Sequence, residues 1–179
     1  MAERPPPRFT GVSTYQDPLG RFSLRFPTDW NRFAVEGRDG VQAAPTFDDP
    51  ETSFTAWVTP LEVPVVAEDL DELKRGVTEG LAQLDGCAIA AEDDVVLGNL
   101  IRFERVFTFR ENGATRKRKS WLVYVDTWLI SLTWQGSSPE EYEYWLSMAN
   151  YAFNTFNLPP GLWFAVDRDL AGKSRDEPS

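Results

Sequence analysis

LIRFERVFTFRENGATRKRKSWLVYVDTWLISLTWQ, residues 100 to 135, reads as three strands in succession. Ile101, Phe103, Phe107 and Phe109 fall on alternate positions, interrupted only by Arg105, with Arg102, Glu104 and Thr108 between them. Period two of this kind marks a strand with one dry face and one wetter face. Glu111-Asn112-Gly113 is a reversal in which Asn and Gly accept positive φ, and Trp121, Val123 and Val125 resume the alternation on a second strand. Asp126-Thr127 turns the chain again. Trp128, Ile130, Leu132 and Trp134 then line one face of a third strand, opposite Ser131, Thr133 and Gln135. The segment predicts an antiparallel meander, and almost every other stretch reads as its cover or extension.

Upstream, residues 1 to 14 form an arm built around Pro5-Pro6-Pro7 with Arg4 and Arg8 beside it, a composition that favours an extended, solvated backbone. The domain proper is expected over residues 15 to 158. Asp17-Pro18-Leu19-Gly20 has the residues of a type I turn, and Phe22, Leu24 and Phe26 alternate as a strand that Pro27 stops for want of an amide proton. Trp30 follows as a core plug. Short strands are predicted at Phe33 to Val35, Val41 to Ala44 and Phe54 to Val58. A helix is predicted from Asp69 to Leu84, since Leu70, Leu73, Val77, Leu81 and Leu84 make one stripe. Asp69 reads as its cap, with Glu72 answering three residues later. Gly76 and Gly80 each cost about 1 kcal/mol relative to Ala inside a helix, so close packing against another element is expected there.

Downstream, Ser138-Pro139-Glu140-Glu141 opens a second helix with a capping Ser, Pro at the first position and Glu at the third. Tyr142, Trp145, Leu146, Ala149, Phe153 and Phe156 form its buried stripe. Residues 159 to 179 are a tail, with an apolar knot at Leu162-Trp163-Phe164-Ala165-Val166 and a charged, small-residue end expected to be disordered.

Composition limits the chemistry. The chain has 179 residues, one Cys, no His and a net charge of −10. Without His there is no Ser-His-Asp or Cys-His nucleophile and no common zinc or iron site. Cys87 has no basic sequence neighbour and reads as a small core residue. Glu92-Asp93-Asp94, and Asp48-Asp49 with Glu51, lack the spacing of a calcium loop and read as solvated turns. The overall negative charge disfavours nucleic acid and anionic membranes, and no apolar run reaches the roughly 20 residues of a bilayer span. No catalytic residue, cofactor or metal is expected. Seven Trp and twelve Phe supply a thick core or, failing that, an aromatic cleft for an apolar or sugar-like ligand.

Charge is concentrated in one place. Residues 102 to 119 hold seven cations against two carboxylates, with Arg116, Lys117, Arg118 and Lys119 consecutive. In a strand Arg116 and Arg118 share one face and Lys117 and Lys119 the other. This run, joined by Arg110 across the hairpin, either blunts an exposed sheet edge or forms an electropositive dock for an acidic partner surface. A second candidate is Tyr144, Met148 and Tyr151, a row on the C-terminal helix expected either to pack under the tail knot or, with Trp163, to line a ligand or partner groove.

Tyr15, Asp17, Gly20, Arg21, Phe22, Ser23, Leu24, Phe26, Pro27 and Trp30 resemble the opening of PsbP-like domains, in which a short turn leads to a strand that ends in Pro and then Trp. The order of elements is similar as far as Phe153-Asn154-Thr155-Phe156, so the resemblance spans roughly residues 15 to 157. It implies an α+β fold, a three-layer α/β/α sandwich with a central antiparallel sheet of about six strands and two main helices. The superfamily, which takes in DcrB- and LpqN-like domains, shares a habit of binding proteins and no catalytic residue. The implied function is a non-catalytic protein-binding or accessory module, monomeric or homodimeric, docking an acidic partner. The alternative is a small apolar ligand held between helix and sheet. The protein is expected in the cytoplasm, or in the cell envelope if a signal or lipid anchor has been removed.

Overall fold

The computed structural model describes residues 3–167. Two short strands, β1 (Val12–Gln16) and β2 (Ser23–Pro27), form a hairpin of their own. Seven more, β3 (Asn31–Ala34), β4 (Gly40–Ala44), β5 (Ser53–Pro60), β6 (Ala88–Leu97), β7 (Leu100–Glu111), β8 (Ala114–Val125) and β9 (Trp128–Gly136), make one antiparallel sheet in the order β3-β4-β5-β9-β8-β7-β6. The meander is its middle and one side, with Phe103 opposite Leu122 and Trp121 opposite Leu132. Asn112 (φ 51°), Gly113 (φ 77°) and Asp126 (φ 50°) take the left-handed conformations that its tight reversals need.

Seven strands agree with the expected sheet of about six, but β6 runs unbroken through Glu92-Asp93-Asp94, which is not a solvated turn. Carboxylates are poor strand formers, but here each has a cation across the ladder or beside it. Asp93 accepts from Arg102 at 2.9 Å, Asp94 from Arg105 at 2.6 Å, and Glu92 lies 3.5 Å from Arg105.

Helix α1 (Leu70–Ala82) covers one face of the sheet; α2 (Pro139–Thr155), the β1–β2 hairpin and α3 (Pro160–Val166) cover the other. α1 and α2 are the two main helices expected, and the apolar knot is itself a short third helix of seven residues. The α2 side holds the main core: Phe153 lies between Phe54 (4.8 Å) and Trp121 (5.0 Å), and Trp30 stacks on Trp134 at 5.7 Å, the predicted plug. Ser138 caps α2 by accepting from the Glu141 amide at 3.2 Å. Before α1, the Asp69 carboxylate reaches back to the Val66 amide (2.9 Å) across a 3-10 turn, Ala67–Asp69, and does not cap forward with Glu72. Cys87 lies half-buried between α1 and β6, not in the core, and burial pushes its thiol up. The chain beyond residue 167, where a disordered end was expected, lies outside the described residues.

Candidate functional site

The basic run lies inside the sheet, because β8 is flanked by β7 and β9 while the edges are β3 and β6. It therefore blunts no edge. Lys117 and Lys119 point to the α2 side. Lys117 pairs with Glu143, and Lys119 donates to Asn150 at 3.1 Å above the Phe153 ring. Burial pushes the Lys119 ammonium below its ordinary pKa, against the opposing pull of Glu104. Arg116 is 5% exposed and donates to the Ser137 carbonyl and to Glu51, each at 2.6 Å. Arg118 is turned to the α1 side and bonds Gln135 at 3.0 Å. Arg110 alone of the five is exposed, its stem resting against Gly86.

The aromatic row is divided. Met148 is 2% exposed and belongs to the core, whereas Trp163 is on α3, whose Val166 carbonyl accepts from the Asn99 amide at 2.8 Å. Among the described residues, Tyr144 and Tyr151 are covered from the N-terminal side of the chain. The Arg4 guanidinium sits 3.6 Å from the Tyr144 ring centroid and 2.7 Å from Glu141, Tyr144 donates to the Pro5 carbonyl at 2.7 Å, and Phe9 meets Tyr151 edge-on at 5.2 Å. An extended proline-rich backbone has carbonyls free to accept such a bond. Removing residues 1 to 9 is expected to cost about 2 kcal/mol, from one exposed ion pair, one cation–π contact, one hydrogen bond and one edge-on ring contact, and to lower the melting temperature by several degrees in thermal unfolding.

The alternative expectation, a ligand between helix and sheet, named no lining residues; a groove of about 310 Å³ lies there, between α1 and the sheet. Its floor comes from alternate residues of β7 and β8, with Phe103, Phe107 and Leu122 as the apolar part and Ser120, Arg105 and Arg118 as the polar part. Gly76 and Gly80 form the helix side. Both are exposed, and a Cβ at either would meet no atom within 4 Å, so the close packing expected of them is absent and the groove is open at this side.

Two guanidiniums share this floor as diagonal neighbours. Arg105, 3% exposed, donates through Nη1 to Asp94 (2.6 Å) and to the Glu104 carbonyl (2.7 Å), while its buried Nη2 has no hydrogen-bond partner among the described residues. Asp94 also takes Lys74 of α1 at 2.7 Å. Burial pushes the Asp94 carboxyl up, but Lys74 and Arg105 outweigh that and hold it below the ordinary range. Arg118 lies where this groove meets a polar one of about 390 Å³ lined by Gln42, Glu51, Ser53, Thr55, Glu111 and Gln135.

No protein family and no curated protein matches the sequence. Solved structures do. The cyanobacterial PsbP protein, CyanoP, of Synechocystis sp. PCC 6803 superposes with a TM-score of 0.61 at 9% identity, over 89% of this chain and 99% of that one. LpqN of Mycobacterium tuberculosis, involved in cell envelope biogenesis, gives 0.60 at 14% identity, over 84% and 91%. A Pseudomonas aeruginosa protein of unknown function gives 0.53 at 14% identity, over 83% and 98%. The chain has the PsbP-like fold, and at these identities the likeness speaks for the fold alone.

Proposed function

We propose that this PsbP-like chain is a non-catalytic binding module and that its binding site is the groove beneath α1. The observation that supports this is the pair of open glycine positions above an aromatic floor. Glycine is costly in a helix, and at two other positions of this chain it answers a steric need: a Cβ at Gly98 would fall 2.1 Å from the Val166 carbonyl oxygen, and one at Gly136 would fall 2.3 Å from the Tyr142 nitrogen. Nothing presses on Gly76 or Gly80, which are exposed at the rim of the groove, and their lack of side chains leaves that rim clear. The side chains with polar groups that line that space are Arg105, Arg118, Ser120, Thr133, Tyr124 and Trp57. Donors of this sort hold a ligand, and none is a base that takes a proton near neutral pH.

Docking of an acidic protein by Arg110, Arg116, Lys117, Arg118 and Lys119 has less support. Arg116, Lys117 and Lys119 have carboxylates within 4.0 Å in the same chain, and a partner would have to displace them.

Native mass spectrometry of protein purified gently from its source tests the reading. A surplus of a few hundred daltons that vanishes on denaturation is expected, and its loss in Gly80→Leu. That substitution should raise helix stability by up to about 1 kcal/mol, so loss of ligand would come without loss of fold. A bare mass in both proteins would overturn the groove reading. A pull-down with Arg110→Glu would then test for a protein partner.

A further inference from the structure

Five arginines among the described residues are buried or half-buried: Arg21, Arg102, Arg105, Arg116 and Arg118. Four have a carboxylate close by, Asp17 at 2.7 Å, Asp93 at 2.9 Å, Asp94 at 2.6 Å and Glu51 at 2.6 Å respectively. Arg118 is the exception. Its hydrogen bonds run to the neutral Gln135 amide, its guanidinium lies 4.6 Å from the Phe109 ring centroid, and no described carboxylate comes within 4.0 Å of it. Taking a cation out of water without a counterion is costly. Burial pushes the Arg118 guanidinium below its ordinary pKa, against the opposing charge of Glu111, which lines the same polar groove.

The location of this cation supplies the rest. Arg118 stands at the junction of the apolar groove under α1 and the polar groove beside Gln42 and Gln135, so a molecule seated there has a dry side and a wet side. Arg105 on the same face adds a buried donor, Nη2, with no acceptor among the described residues. A guanidinium matches a carboxylate in shape as well as charge, since its fork makes two parallel bonds.

We propose that the groove takes an amphipathic carboxylic acid, with the carboxylate on the Arg118 guanidinium and the apolar body between Gly76 and Gly80 on one side and Phe103, Phe107 and Leu122 on the other. The inference rests on the groove reading above and adds the chemical class of the ligand. The cavity is at the small end of ligand sites, which run from about 300 to 1,000 Å³, so the body is that of a medium-chain or aryl-substituted acid.

Calorimetric titration of the full chain with decanoate and with 1-decanol separates the two levels. Decanoate is expected to bind wild type at least tenfold more tightly than decanol. Arg118→Gln should remove that preference by weakening decanoate alone, Arg118→Lys should leave it intermediate, and Gly80→Leu should abolish both. Circular dichroism and amide spectra would show which variants remain folded, and the decanoate-to-decanol ratio on wild type decides the matter even if the Arg118 variants do not. Equal affinity of wild type for the two probes, or an Arg118→Gln protein that keeps the preference, overturns the acid proposal while the groove reading stands. No binding of either probe by wild type, or unchanged binding by Gly80→Leu, overturns both.

Discussion

Replacing Asp17 by alanine is expected to destabilise the protein by about 3–5 kcal/mol, the cost of leaving a buried charge without its partner. Asp17 and Arg21 are 1% and 7% exposed. Arg21 grips the carboxylate through Nε at 2.7 Å, Nη2 at 2.9 Å and its own backbone amide at 3.0 Å, and its guanidinium also rests 4.8 Å from the Trp128 ring centroid. Alanine leaves that guanidinium facing apolar surface and 3.5 Å from the exposed Asp39 alone. At about 2–4 °C per kcal/mol for a chain of this size, the melting temperature should fall by roughly 10 °C. Replacing both residues together by apolar ones should recover most of the loss, because an intact buried pair contributes little net stability.

The pair also has a pH signature. Burial pushes the Asp17 carboxyl up, but the hydrogen bonds and charge of Arg21 outweigh it and hold the group below its ordinary value. A carboxyl depressed in the folded state contributes stability that is fully present above its unfolded pKa, about 4, and is lost as pH falls through the lower folded value. The difference in melting temperature between wild type and Asp17→Ala should therefore be constant near neutrality and narrow below about pH 4. A difference independent of pH down to pH 2 would show that the ion pair is not its source.

Gly136→Ala is the second large effect, at about 3 kcal/mol, the upper range for forcing extra volume into a packed site. The added Cβ would lie 2.3 Å from the Tyr142 nitrogen, 2.5 Å from the Ser138 carbonyl oxygen and 2.7 Å from the Tyr142 Cα, all backbone of the first turn of α2. No rotamer change relieves such a clash. The turn must move away from the end of β9, and with it the Ser138 cap and the bond from Trp134 Nε1 to the Tyr142 carbonyl at 3.3 Å. Urea unfolding should show a lower midpoint with α2 helicity retained, and an unchanged midpoint would mean that the helix start is free to shift.

What could be read from the residues was whatever depends on neighbours in sequence. The alternation from Ile101 to Trp134, the turn at Asn112-Gly113 and the Ser138 cap are local signals, and the structure has each of them. Glu92-Asp93-Asp94 misled because the local signal of an acidic trio is a loop, and only the cross-strand Arg102 and Arg105 make it a strand. Pro5-Pro6-Pro7 marked an extended arm but could not say that Tyr144 and Tyr151 await it. Gly76 and Gly80 drew notice as helix breakers, yet whether a glycine answers a close approach or leaves a space depends on what lies opposite. Arg118 was picked out for belonging to a run of charge. Its distinction is that, of the five buried or half-buried arginines among the described residues, it is the one with no carboxylate within 4.0 Å, which no spacing along the chain reveals.

The two sides of the sheet are unequally anchored. α2 buries Tyr142, Met148, Ala149, Ala152 and Phe153, whereas α1 buries Val77 alone and is tied to the sheet edge by the Lys74–Asp94 pair. Local opening follows such differences, so amide hydrogens of α1 should exchange with solvent well before those of α2, in a partial unfolding that leaves the larger core closed. A guest beneath α1 then needs no hinged loop to reach its seat. The helix is itself the least securely fastened layer of the molecule, and whatever fills the space beneath it would slow its exchange, turning a weak seam into a joint that is firm only when occupied.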